Sequence, residues 1–562
     1  MNARLIWTRL GFGCIAALFL GISPQAFGQV MSVRSELHHD VSPAVRDLPV
    51  AVFGQEVEHE AEPARMVPLP RGLKRPEDPD PVLQKGFGQA AKKLEPGALS
   101  IPPRASSFTP QFNLGFDGIG QGVFGFTVSV APPDTNGAVG LTQYVQWVNL
   151  SFAVFDKATG NLITGPIAGN SLWQGFGGEC QTTNRGDPVV SYDKLANRWV
   201  FSQFAFEVDS NGNPSSSFTQ CVAVSTTSDA TGTFNRYSYA YSQLNDYPKL
   251  GVWPDAYYFT FNMFSGSSFL GANTCAFDRN AMLNGQSATQ ICFASFQKAT
   301  LLPSDLDGTT PPPAGSPNYM LNFGSNSLDL FKFHVDFVTP SNSTLNGPTS
   351  IPVAAFTPLC SANGGRTCVP QSGTSTQLDA LGDRLMYRLA YRNFGSHESL
   401  VVNHSVAIGS GGGIRWYEIQ NPNGTPNVVQ QSTFAPDSNF RWMGSVAMDR
   451  SGDIAVGYSV SSSSMFPAIA YAGRTASDPL STLEPEVTVI NGGGSQTNGL
   501  TRWGDYSAMQ VDPVDDCTFW YTTEYLKSTG SFNWNTRIAK FKFPNCVNIP
   551  AIMAVISELL LD

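Results

Sequence analysis

The chain has 562 residues, 14% charged and 12% aromatic, with 34 Lys+Arg against 44 Asp+Glu for a net charge of −10. That acidic balance argues against a protein that coats nucleic acid, and the aromatic content excludes a chain that is disordered throughout. Few segments repeat apolar residues at helical spacing, whereas Gly, Asn, Ser, Thr and Pro interrupt the sequence everywhere. This is the pattern of many short strands and turns.

Residues 1–28 read as a secretory signal: Arg4 and Arg9 precede the apolar run Gly11–Ile22, and Ala26-Phe27-Gly28 offers small residues for cleavage before Gln29. The apolar run is too short for a stable membrane span. Loss of Arg4 and Arg9 takes the net charge from −10 to −12. Residues 29–111, rich in Glu, Pro, Arg and Lys, read as a flexible leader or pro-segment. Eight cysteines follow: Cys180, Cys221, Cys275, Cys292, Cys360, Cys368, Cys517 and Cys546. An even number in an exported chain points to disulfides. Pairing of sequence neighbours is the simplest of many connectivities.

From residue 112 to 548 a repeat carries the fold assignment. A short apolar strand, an Asp turn and an aromatic strand recur with the Asp at 193, 255, 379, 449 and 512. The gaps are 62, 124, 70 and 63, so a degenerate unit is expected near Pro317-Asn318, and Gly140–Gln143 followed by Tyr144–Val148 supplies a seventh. Radial four-stranded units of this kind make an all-β, seven-bladed β-propeller. Six blades with an irregular first unit, or tandem β-sandwiches, are the alternatives. The apolar residues 549–562 form a short C-terminal tail.

In a propeller, the segments that enter each first strand converge at one end of the central channel. Here they include Asn184-Arg185-Gly186-Asp187, Asn245-Asp246-Tyr247, Phe440-Arg441-Trp442-Met443-Gly444 and Arg502-Trp503-Gly504-Asp505-Tyr506, with Asp134-Thr135-Asn136-Gly137 upstream. Arg185, Arg441 and Arg502 offer planar forks for anions. Trp442 and Trp503 offer faces for sugar rings, and Asp187 and Asp505 are acid/base candidates. A second group runs through Arg384, Tyr387, Arg388, Arg392, His397, Glu398 and His404, where alternation puts three Arg on one strand face. The loops Asp305-Leu-Asp307-Gly308 and Asp512–Asp516 are candidates for Ca²⁺ but lack full EF-hand spacing. The expected partner is an extracellular glycan or a surface protein.

The segments Pro132–Gly137, Gly186–Val190, Tyr247–Asp255, Arg384–Arg388, Glu398–His404 and Arg502–Tyr506 resemble those of a family of large secreted bacterial β-propeller proteins without assigned activity. The resemblance spans roughly Asp134 to Cys546 and brings no catalytic residues. More distantly, the chain is sialidase-like. That resemblance implies an arginine triad, imitated by Arg185, Arg441 and Arg502, and a Tyr/Glu pair that Glu524 would supply. Ala447–Gly452 comes nearest to the sialidase Asp box but lacks its Ser and Trp. Together these features imply a secreted protein that binds, and is a candidate to cleave, a polysaccharide at the channel mouth. The alternative is a non-catalytic cell-surface or matrix module.

Overall fold

The computed structural model describes residues 30–50, 110–208, 214, 217–266, 268–295 and 299–546. The signal segment, residues 51–109 and the C-terminal tail from 549 lie outside the described residues. Strands dominate, and the only α-helices among the described residues are Gly178–Thr182 and Arg279–Leu283. Antiparallel units follow one another along the chain, most with four strands consecutive in sequence. Their first strands are Asn136–Val139, Val189–Asp193, Leu244–Val252, Leu302–Asp307, Met386–Asn393, Phe440–Met448 and Ala508–Val511. We number the units one to seven in that order.

The row of units curls. Each first strand approaches the next, and that of unit seven approaches that of unit one. Between units four and five the approach becomes true parallel pairing, Ser304 opposite Leu389 through Asp307 opposite Arg392. Unit seven is completed from a distant part of the sequence: Gln111–Asp117 pairs antiparallel with Trp534–Lys542 as its outer strand.

Apolar layers fill the space between successive units. Trp147, Phe152, Val190 and Phe201 pack between units one and two, and Tyr239, Phe259, Phe261 and Phe277 between two and three. Most inner strands are therefore buried on both faces, which accounts for a charge-poor, aromatic-rich sequence.

The leader prediction needs correction at its start. Val30–Ser35 adds an outer strand to unit three, pairing with Thr289–Ser295, and His38–Val41 does so for unit two. Arg236, 2% exposed, holds the second of these with a fork: its Nε and one terminal nitrogen donate to the two Asp40 oxygens at 2.7 and 2.6 Å. Charged residues at a sheet edge thus act as a clasp here, where composition alone suggested a loose segment.

Four disulfides form, Cys180–Cys221, Cys275–Cys292, Cys360–Cys368 and Cys517–Cys546, as neighbour pairing predicts. They indicate an oxidising environment. No helix among the described residues is long and apolar enough to cross a membrane.

Candidate functional site

The chain passes through a left-handed residue shortly before each first strand or, in units three and six, inside it at a register shift. Asp134, Asp187, Tyr247, Thr300, Leu381, Met443 and Asp505 have φ between 43° and 59°. One such residue per unit, none of them Gly, re-aims the following strand. It also turns the neighbouring side chains toward one another across the units.

Units one, two, three, five and seven each contribute to one polar cluster there. Asn149 fixes two entry loops: its Nδ2 donates to Asp134 Oδ2 at 2.7 Å, and its Oδ1 accepts from the Asp187 backbone N–H at 3.1 Å. The close approach explains Gly186 (φ 104°), where a Cβ would lie 2.2 Å from Asn149 Oδ1. From unit seven, the Tyr506 hydroxyl lies 3.1 Å from Asp187 Oδ2 and 3.2 Å from the Pro248 carbonyl. The Tyr247 hydroxyl reaches back to donate to the Asp505 carbonyl at 3.2 Å. Lys249 Nζ sits between two rings, 3.0 Å from the centre of Tyr247 and 3.6 Å from that of Tyr506. Arg384 lies over the Tyr247 ring as well, at 4.6 Å. Arg502 pairs with Asp505 and lies 3.9 Å from Asp379.

Burial sets the charges. Asp134, Asp187 and Asp505 are 3%, 7% and 7% exposed. Burial, then the Asp187 and Asp505 carboxylates, pushes the Asp134 carboxyl well above its ordinary range. Burial raises Asp187 too, but Lys249 opposes it. The two carboxyls repel one another's charge, and Asp134, pushed further up, is the one whose neutral form burial favours. Burial pulls Lys249 down while Asp187 resists. Glu524 lies behind this layer. Burial raises it well above the usual carboxylate range, and its Oε2 accepts from the Gly504 N–H at 2.8 Å.

The structure thus brings Asp187, Asp505, Arg502 and Tyr506 into one cluster, with Glu524 behind it. The remaining predicted residues fall elsewhere. Arg441 is bound by Asp437 and Glu486, at 2.7 and 2.8 Å, and Arg185 turns onto Phe206, donating to its carbonyl at 2.9 Å. Among the described residues these guanidiniums are thus engaged apart from Arg502, which is held by Asp505 and Asp379. Trp442 and Trp503 are both 0% exposed, their ring centres 5.9 Å apart. They are core, and neither presents a face to a sugar. Arg388 is sealed between Asp305 and Asp307. The carboxylates suggested for Ca²⁺ are turned onto protein cations: Asp305 and Asp307 onto Arg388, Asp512 onto Lys157, Asp516 onto Arg392.

His404 also needs correction as a catalytic candidate. It is 0% exposed, packed on Phe323, Phe356 and Tyr417, with Nε2 2.9 Å from the Tyr417 hydroxyl. Burial holds its pKa to about 3, with Arg415 adding to the effect. Its ring is therefore expected to remain neutral in an NMR titration from about pH 8 down to about pH 5. A midpoint near the ordinary value of about 6.5 would place it in solvent instead.

Asp134 and Tyr247 lie in entry segments that the repeat already singles out. Lys249 carries no such signal, because one Lys inside an apolar strand has no motif. Only its neighbours in space reveal it.

Neither a protein-family model nor a curated protein matches the sequence. Among solved structures, the chain is similar to an ACO/RPE65 chimera, at TM-score 0.35 and 11% identity over 84% of this chain and 94% of that one. It is similar to an ulvan lyase bound to -[GlcA(1-4)Rha3S]-, at 0.32 and 12% over 70% and 92%. It is similar also to an endo-arabinase from Bacteroides thetaiotaomicron, at 0.25 and 11% over 63% and 92%. These likenesses are too remote to bear on activity.

Proposed function

We propose that the chain is an exported seven-bladed β-propeller that binds an extracellular glycan at one end of its channel. The succession of first strands, returning from unit seven to unit one, supports the closed ring. The observation that carries the binding reading is the convergence of Asp134, Asp187, Lys249, Arg502 and Tyr506 from four units. Carboxyls, a phenol, an ammonium and a guanidinium offer both donors and acceptors, as sugar hydroxyls require. Arg502 is already balanced by Asp505 and Asp379, which favours neutral over acidic sugars.

Binding is favoured over hydrolysis. Glycosidases hold their two carboxyls about 5–5.5 or 6.5–9.5 Å apart, leaving room for the anomeric carbon or a water. Asp134 and Asp187 are instead almost sealed from solvent and engaged by the protein, Asp134 by Asn149 and Asp187 by Tyr506. The burial of all three carboxylates favours a second reading, in which the cluster locks the units together and the molecule is a non-catalytic surface or matrix module.

Titrating the mature protein against neutral and acidic polysaccharides, with reducing ends and unsaturated-uronate absorbance followed in parallel, tests this. A neutral polysaccharide is expected to bind without turnover, and Asp187→Asn to weaken it at least about tenfold, the size of one lost charge-assisted hydrogen bond. If nothing binds and Asp187→Asn only lowers the melting temperature, the lock reading stands.

A further inference from the structure

A second site lies where the last unit meets the first. The alternation of Trp534–Lys542 puts Trp534, Ile538, Lys540 and Lys542 on one face. Trp534 and Ile538 belong to the apolar layer shared with unit one. Toward the strand's end that layer gives way to lysines. A cleft of about 550 Å³ opens there, between Leu141-Thr142 and Asp156-Lys157 of unit one and Asp512, Thr518, Lys540 and Lys542 of unit seven.

Most charges facing the cleft are satisfied. Lys157 Nζ donates to Asp512 at 2.7 Å and to the Gly140 and Leu141 carbonyls. Lys542 pairs with Asp515 at 3.2 Å. Asp156 accepts from the Thr159 N–H and hydroxyl at 2.8 and 2.7 Å. Lys540 is the exception. It makes no ion pair within 4 Å among the described residues; its Nζ lies 5.3 Å from the centre of the Trp520 ring, and Asp156 feels it only at longer range. Trp520 is 1% exposed and stacked on Tyr144, so it shapes the wall without offering a stacking face. An ammonium without a close ion pair, in a cleft also lined by Thr142 and the exposed Asn113 and with the Asp156 carboxylate as its more distant counter-charge, is the chemistry of an oxyanion carried on a hydroxylated body. The volume falls in the ordinary range for small-molecule sites, about 300–1,000 Å³.

We propose that this seam cleft binds a mono- or disaccharide bearing one sulfate, phosphate or carboxylate, with Lys540 as the ligand to the anion. The site is separate from the channel-end cluster and does not depend on it. Calorimetric titration with a monosulfated disaccharide, its unsulfated counterpart and sodium sulfate tests the assignment.

The sulfated sugar is expected to bind, and to weaken as salt is raised. Lys540→Ala should reduce its affinity at least about fivefold and Lys540→Arg restore most of it. Because Lys540 is half-buried at the seam, melting temperatures of both variants should be followed. Equal binding of the unsulfated sugar, or an unaltered affinity in a folded Lys540→Ala protein, would overturn the proposal. Sodium sulfate binding as tightly as the sugar would overturn its saccharide part.

Discussion

Arg388→Met is expected to lower the unfolding free energy by about 3–5 kcal/mol, the range for stripping one partner from a fully buried ion pair. Arg388 is sealed from solvent on the first strand of unit five. Its Nε donates to Asp305 and its two terminal nitrogens to Asp307, each at 2.8 Å, and one also reaches the Met509 carbonyl of unit seven at 3.2 Å. Lys194 of unit two meets the same Asp307 from the other side. One guanidinium therefore joins units four, five and seven, and through Asp307 unit two. Without it, two carboxylates remain in a site that excludes water. Guanidinium chloride unfolding with the disulfides intact gives the measurement, and a loss below about 1 kcal/mol would mean the site rehydrates freely. Adding Asp305→Asn to Arg388→Met should recover part of the loss, because a neutral amide needs no counter-charge, whereas Asp307 keeps Lys194.

The same network fixes an acid limb. Burial alone would raise the Asp307 carboxyl, but Arg388 and then Lys194 outweigh it and hold it well below the ordinary range. A depressed carboxylate contributes stability above its unfolded pKa, about 3.9, and loses it as pH falls through the folded value. The wild-type chain should therefore lose stability below about pH 4 more steeply than the Arg388→Met chain, in which that contribution has already gone.

Arg388 also marks where reading the sequence stopped. The alternation Arg384, Arg388, Arg392 correctly implies a face that demands anions. The protein itself supplies them: Asp383 for Arg384, Asp305 and Asp307 for Arg388, Asp516 for Arg392. The last two sets lie on other units, some eighty to one hundred and twenty positions away, and no local pattern reports such partners. Hairpin turns were legible because their chemistry is local. Asp193 Oδ1 accepts from the Leu195 and Ala196 N–H groups, and Asp449 Oδ1 from Ser451 and Asp453. Asp379 imitates this by accepting from Leu381. Yet it precedes the first strand of unit five, Met386–Asn393, so the repeat frame slips by one strand there. The polar cluster around Asp187 was half legible for a related reason. Repeat position predicts which loops converge, whereas burial decides that Trp442 and Trp503 face inward and Tyr506 faces Asp187.

The four disulfides should rank by the length of chain each closes. Constraining the unfolded ensemble is worth about 4 kcal/mol for the 41-residue separation of Cys180–Cys221, about 3.5 for 29 at Cys517–Cys546, about 3 for 17 at Cys275–Cys292 and about 2.5 for 8 at Cys360–Cys368. Paired Cys→Ala variants give a cleaner comparison than Cys→Ser, since all but Cys368 are buried and a hydroxyl there would lack partners. Chemical unfolding of each variant supplies the order. Equal losses for the longest and shortest loops would show that native-state contacts, and not chain entropy, set the stabilisation. Cys517–Cys546 has a second consequence that the other three lack. It anchors the chain just beyond Trp534–Lys542, the strand on which Gln111–Asp117 closes unit seven. Its loss should therefore raise amide exchange in both of those strands above the rise seen in units two and three, whereas removing Cys275–Cys292, within unit three, should leave the exchange of unit seven as it was.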